Sequence, residues 1–139
     1  MFSKSKMRLA GFNFDKISVE RFSDDTTNLK INTKIDVPKI EKFKPKNFDK
    51  ELLRAEFLYI LDYTPNFANI EFKGHVIFQA EEEEMKKILE DWKKKKLEDD
   101  FQTILFNTIL RKTNVKALEL EDNMGLPFHM AMPTLKKKE

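Results

Sequence analysis

The sequence predicts an α+β fold: a four-stranded antiparallel sheet followed by a long C-terminal helix, with helices packed on one sheet face. Two observations lead there. Apolar residues recur at period two along much of the first 80 residues and fall on a helical stripe after Glu81. Strands come first and helices after, the order of an α+β domain rather than of alternating βαβ units. The chain has 139 residues, enough to bury one core. It is therefore read as a single domain over 1–139: sheet over 7–80, helical region over 81–122, and a proline-bounded apolar strip with a basic tail over 123–139.

Residues 7–22 carry Leu9, Phe12, Phe14, Ile17, Val19 and Phe22, with the spacing broken near Gly11 and Asp15. That pattern predicts a strand with a bulge or kink. Ser23 to Asn28 is polar and rich in turn formers, so a loop is expected. In residues 29–37, Leu29, Ile31, Thr33, Ile35 and Val37 alternate with Lys30, Asn32, Lys34 and Asp36, which predicts a cleaner strand. Residues 38–50 hold Pro38, Pro45 and many lysines and read as a looser segment. A hairpin follows, with strands over roughly 52–63 and 69–80. Pro65 fixes φ and Asn66 tolerates left-handed angles, so the chain can reverse between them. Phe57, Tyr59, Leu61 and Tyr63 line one face of the first strand, and Ile70, Phe72, Val76 and Phe78 one face of the second. Glu71, Lys73, His75 and Gln79 mark a solvated opposite face, whereas Leu58 and Ile60 call for a cover or an association there.

After Glu81 the apolar residues Met85, Ile88, Leu89 and Trp92 form one helical stripe. Glu81 to Glu84 at its start and Lys93 to Lys96 at its end suit the helix macrodipole. A second stripe, Phe101, Ile104, Leu105, Ile109 and Lys112, extends through Val115 and Leu118 until Asn123 and Gly125 stop it.

Composition removes several classes of function. There are no cysteines, so disulfides, thiol catalysis and cysteine-based zinc sites are excluded. With 26 Lys and Arg against 24 Asp and Glu, the balance of +2 argues against a polyanion partner, although Lys136 to Lys138 is locally basic. No secretory signal is read at Met1–Met7, and no apolar run approaches the roughly 20 residues that span a bilayer. A cytoplasmic protein is expected.

Convergent catalytic groups are scarce. His75 and His129 lie 54 positions apart with no metal-ligand spacing around them. His75, on the polar strand face, reads as a solvated surface residue. His129 lies within the apolar tail. The serines, Ser3, Ser5, Ser18 and Ser23, form no nucleophile elbow, and three glycines build no phosphate cradle. Glu81 to Glu84 reads as a helix start rather than a metal site, and Asp24-Asp25 as turn chemistry. No enzyme activity, cofactor or metal is expected.

The hairpin Tyr63-Thr64-Pro65-Asn66-Phe67-Ala68-Asn69-Ile70-Glu71-Phe72-Lys73-Gly74, the helix segment Phe106-Asn107-Thr108-Ile109-Leu110, and the strip Gly125-Leu126-Pro127-Phe128-His129-Met130-Ala131-Met132-Pro133 together carry a resemblance. Over about residues 7–135 the chain resembles the SecB family of export chaperones, and particularly its divergent archaeal SecB-like branch. The resemblance implies an ATP-independent chaperone that binds non-native or pre-export polypeptides in hydrophobic surface grooves, without membrane insertion. It implies a homotetramer built as a dimer of dimers. Leu126, Phe128, Met130 and Met132 would then bind clients, while Phe101, Ile104, Leu105 and Ile109 would pack under the sheet or across a subunit interface. The acidic sheet surface with which bacterial members meet the SecA motor is not recognisable in this sequence. Other readings are a nucleic-acid module using Lys93–Lys96 and Lys136–Lys138, a subunit of a fixed complex with the tail docked permanently on one partner, and a chaperone linked to a toxin–antitoxin pair.

Overall fold

The computed structural model describes residues 7–132, arranged as four strands followed by two helices. The strands are β1 (Arg8–Arg21), β2 (Lys30–Phe43), β3 (Leu52–Thr64) and β4 (Ala68–Gln79), and the helices are α1 (Glu82–Lys93) and α2 (Asp99–Met124). All neighbours are antiparallel in the order β1-β4-β3-β2. Strands β2, β3 and β4 form a meander, and β1 lies beside β4 at the far edge, which is Greek-key connectivity. The β3–β4 reversal falls at Pro65 and Asn66, where Asn66 has φ of 47° and the Phe67 N–H donates to Tyr63 O at 3.0 Å. Pairing shifts register in β1 between Leu9 and Gly11 and between Phe14 and Lys16, the two places where the apolar spacing breaks.

β2 runs further than its sequence suggests. Residues 38–43 continue the strand instead of forming a looser segment. Pro38 is accommodated because β2 is an edge strand and its pairing skips from Asp36 to Lys39. At that bulge the Val37 N–H is satisfied by the Asp36 carboxyl at 2.9 Å, and Val37 and Ile40 turn into the core.

The helices cover one face of the sheet. Across β3 and β4 that face is paired as Leu53 with Phe78, Ala55 with Val76, Tyr59 with Phe72, Leu61 with Ile70 and Tyr63 with Ala68, all of them buried. β1 adds Phe12 and Phe14, whose rings meet Phe57 at 5.2 and 6.2 Å between centroids. Gly74, opposite Phe57, leaves room for that ring: a Cβ there would sit 2.6 Å from the Phe57 Cζ and 2.3 Å from Asn13 O.

From α1, Met85 and Ile88 are buried, with Leu89 and Trp92 beside them. α2 buries a ridge at intervals of four: Phe101, Leu105, Ile109, Thr113, Ala117 and Glu121. Rows at this spacing run along a helix at a shallow slant and seat against a flat partner. Val115, expected on the inner stripe, is off this ridge and 66% exposed. Phe101, Leu105 and Ile109 pack in the core, and Ile104 borders it.

Candidate functional site

The C-terminal end of α2 closes on Gly125, whose φ of 65° is the left-handed conformation that glycine adopts without strain. The Leu126 N–H returns to Glu121 O at 2.8 Å and the Gly125 N–H to Asp122 O at 3.4 Å, the paired bonds of a Schellman turn. Leu126 then enters the core, which is the hydrophobic contact this turn favours. Arg21, at the end of β1, holds the turn from outside. Its Nη1 donates to Met124 O at 3.1 Å and Gly125 O at 3.2 Å, while its guanidinium lies 5.3 Å from the centre of the Phe67 ring.

Beyond the turn the strip is pinned a second time, at His129. The His129 backbone N–H donates to Glu121 Oε2 at 3.0 Å, and its Nδ1 lies 3.0 and 3.1 Å from the two carboxyl oxygens. His129 Nε2 is 3.1 Å from Asn114 Oδ1, which also accepts the Tyr59 hydroxyl at 3.1 Å. The Tyr63 hydroxyl donates to Glu121 Oε2. The Glu121 side chain is fully buried, so each of these donors offsets part of its desolvation. Burial first, and then the charge of Glu121, pushes the Tyr59 hydroxyl up from 10.0 to about 12. Tyr63 is also pushed up, by burial and then by its hydrogen bond to Glu121.

The four residues expected to meet a client therefore divide. Leu126 is in the core and anchors the strip instead of lining its surface, because the Schellman turn carries it inward. Phe128, Met130 and Met132 stand outside at 42%, 44% and 44% exposure. Phe22, next to Arg21, and Met124 are exposed at the same end of the molecule. Pro133 and Lys136 to Lys138 lie outside the described residues.

The open face of the sheet is built differently. His75 is not simply solvated there: its side chain is only 14% exposed, because Asp15 and Asn13 of the neighbouring β1 close over it. Nδ1 lies 2.9 Å from Asp15 Oδ2, and the Asn13 amide nitrogen approaches Nε2 at 3.4 Å. Leu58 and Ile60 are half-buried between charged cross-strand partners, Asp36 and Lys73 for the first, Lys34 and Glu71 for the second. Long charged side chains cover such positions with their aliphatic stems.

A cleft of about 1060 Å³ opens beside the start of α1, lined by Arg8, Lys44, Lys50, Glu51, Glu81 and Glu82. It mixes charges of both signs and brings no histidine, serine or aromatic ring among them. Lys93 to Lys96 lie exposed at the end of α1, with no aromatic surface beside them except the half-buried Trp92. Among the described residues no group of three or more metal-ligating side chains converges. No helix among the described residues is long and apolar enough to cross a membrane.

Sequence reasoning missed Asn114, Glu121, Tyr59 and Tyr63 as the supports of the strip. A signal was present: from Phe101, steps of four reach Glu121 on the same row as Leu105 and Ile109.

No family model and no curated protein matches the chain. Among solved structures it is similar to the SecB-like chaperone Rv1957 of Mycobacterium tuberculosis, in complex with a ChAD peptide from the Rv1956 HigA1 antitoxin. The TM-score is 0.59 at 10% sequence identity, covering 96% of this chain and 90% of that one. The likeness is one of fold, and the fold is SecB-like.

Proposed function

We propose that the protein is an ATP-independent chaperone that holds non-native polypeptides against the apolar strip formed by Phe128, Met130 and Met132. One observation carries this reading: three large apolar side chains stand 42–44% exposed on a segment that hydrogen bonds hold in place. Burying a Phe or Met side chain contributes roughly 1.5–3 kcal/mol when complete, so partial burial of three gives modest, sequence-tolerant affinity. Methionine adapts its shape to irregular partners, which suits a surface that must accept many sequences. The fold shared with a chaperone that holds a peptide supports a polypeptide client. An antitoxin-like client and a pre-export client are two versions of the same activity.

The activity needs no catalysis, metal or cofactor in this proposal. Copies of the chain assemble as a cytoplasmic dimer of dimers, so that several strips hold one long client by avidity. Kinship with the archaeal SecB-like branch belongs to the same proposal and rests on the hairpin around Pro65. Among the described residues, Lys93 to Lys96 have only the half-buried Trp92 beside them, which offers little stacking surface to nucleic acid.

The test is suppression of aggregation of a denatured model substrate in the absence of nucleotide. Replacing Phe128, Met130 and Met132 together by Ser should weaken client binding at least about tenfold while circular dichroism stays unchanged. Full activity in that variant would remove the strip from the site.

A further inference from the structure

The strip could have been sealed to α2 by apolar side chains alone. Instead its second anchor is polar and buried. Glu121 is fully buried, and His129 keeps only 6% of its side chain exposed. A buried ionisable pair is weak evidence of stabilisation, since well-packed apolar residues of similar volume do as well or better. What a directional pair adds is geometry. Glu121 accepts the His129 backbone N–H at 3.0 Å and lies 3.0 Å from the ring Nδ1, while Asn114 Oδ1 lies 3.1 Å from Nε2. Asn114 and Glu121 are seven positions apart, two turns along one face of α2, and the imidazole sits between the side chains they extend toward it. An apolar plug could slide by a residue, but this arrangement admits one register. Phe128 and Met130, on either side of His129, then face outward.

We propose that Glu121 and Asn114 are positioning residues for client binding: through His129 they fix which apolar side chains of the strip meet the client. The inference rests on the chaperone reading given above. A strip ordered before the client arrives loses less conformational entropy on binding, and freeing it lowers affinity although every apolar side chain remains.

The test measures two quantities on the full chain. One is affinity for reduced, carboxymethylated α-lactalbumin, a permanently unfolded probe. The other is amide hydrogen exchange across residues 121–132. His129→Ala should weaken probe binding about tenfold, mainly through faster release. Exchange should accelerate in residues 126–132 and not in the sheet. His129→Gln, whose amide offers Glu121 a donor again, should recover part of the affinity. Asn114→Ala combined with His129→Ala should lose no more than His129→Ala alone, because the two act as one unit. Should Glu121→Ala fail to fold, the Asn114 and His129 variants still decide the matter, as both leave the carboxyl and its Tyr63 donor in place.

Affinity that stays within twofold in His129→Ala overturns the inference and leaves the chaperone reading standing. Additive losses in the double variant, or weakened binding without faster exchange in the strip, overturn it as well. A wild-type chain that does not bind the probe sinks the chaperone reading itself, and the clamp's role toward clients with it.

Discussion

α2 crosses the sheet as one helix, but its two halves meet different ground. In the first half Phe101, Leu105 and Ile109 face an aromatic and aliphatic layer, with Phe78 edge-on to Phe101 at 5.7 Å. In the second half the ridge narrows to Thr113 and Ala117, and the sheet answers with two tyrosines whose hydroxyls reach Asn114 and Glu121. Apolar burial scales with area and is indifferent to direction, so the first half supplies stability. Hydrogen bonds in a buried site are directional and costly to leave unmade, so the second half supplies position. One helix thus separates holding the fold together from presenting a surface at its end.

Breaking the dry half should have the largest effect. Leu105→Ala empties a fully buried site and should lower stability by about 3 kcal/mol in urea unfolding, with the slope unchanged. Gly74→Ala acts on the layer beneath by forcing a methyl group into Phe57 and Asn13 O, and should cost about 2 kcal/mol. A loss under about 0.5 kcal/mol in either would show that the sheet yields more readily than its packing implies. Tyr63→Phe, in the polar half, removes one donor from Glu121 while His129 still serves it, so about 1 kcal/mol is expected.

The polar half should respond to alkali. Tyr59 ionises near 10.0 in the unfolded chain and near 12 in the folded one, and Tyr63 is shifted in the same direction. Above pH 10 the unfolded chain has released protons that the folded chain retains, so stability falls as pH rises. The contribution is complete below about pH 10 and is lost as pH rises through about 12. Denaturation followed from pH 9 to 12 should show that decline, and Tyr59→Phe combined with Tyr63→Phe should flatten it.

The two halves were also unequally legible. The dry half follows from periodicity, because Phe101, Leu105 and Ile109 are large, apolar and regularly placed. The breaks at Gly11 and Asp15 gave away the bulges in β1, and Pro65-Asn66 gave away the reversal between β3 and β4. β2 beyond Pro38 was hidden, because its proline is tolerated only at an edge and strand order is a tertiary property. The polar half was hidden for a different reason. Glu121 and Asn114 are residues that ordinarily face water on a helix, and only tyrosines arriving from β3, together with a histidine returning from beyond Gly125, make their burial affordable. Extending the stripe by the steps that reach Val115 and Leu118, instead of by fours, left the buried row of Thr113, Ala117 and Glu121. His75 shows the same blindness to neighbours, since Asp15 and Asn13 reach it only through pairing of β1 with β4.

The most direct test of the account is photo-crosslinking to an unfolded client from three single positions, each carrying benzoylphenylalanine: Phe128 on the strip, Val115 on the outer side of α2, and Lys73 on the open sheet face. The account predicts strong crosslinking from position 128 and little from the other two. Equal yields from all three, or a yield confined to position 73 or 115, would contradict it.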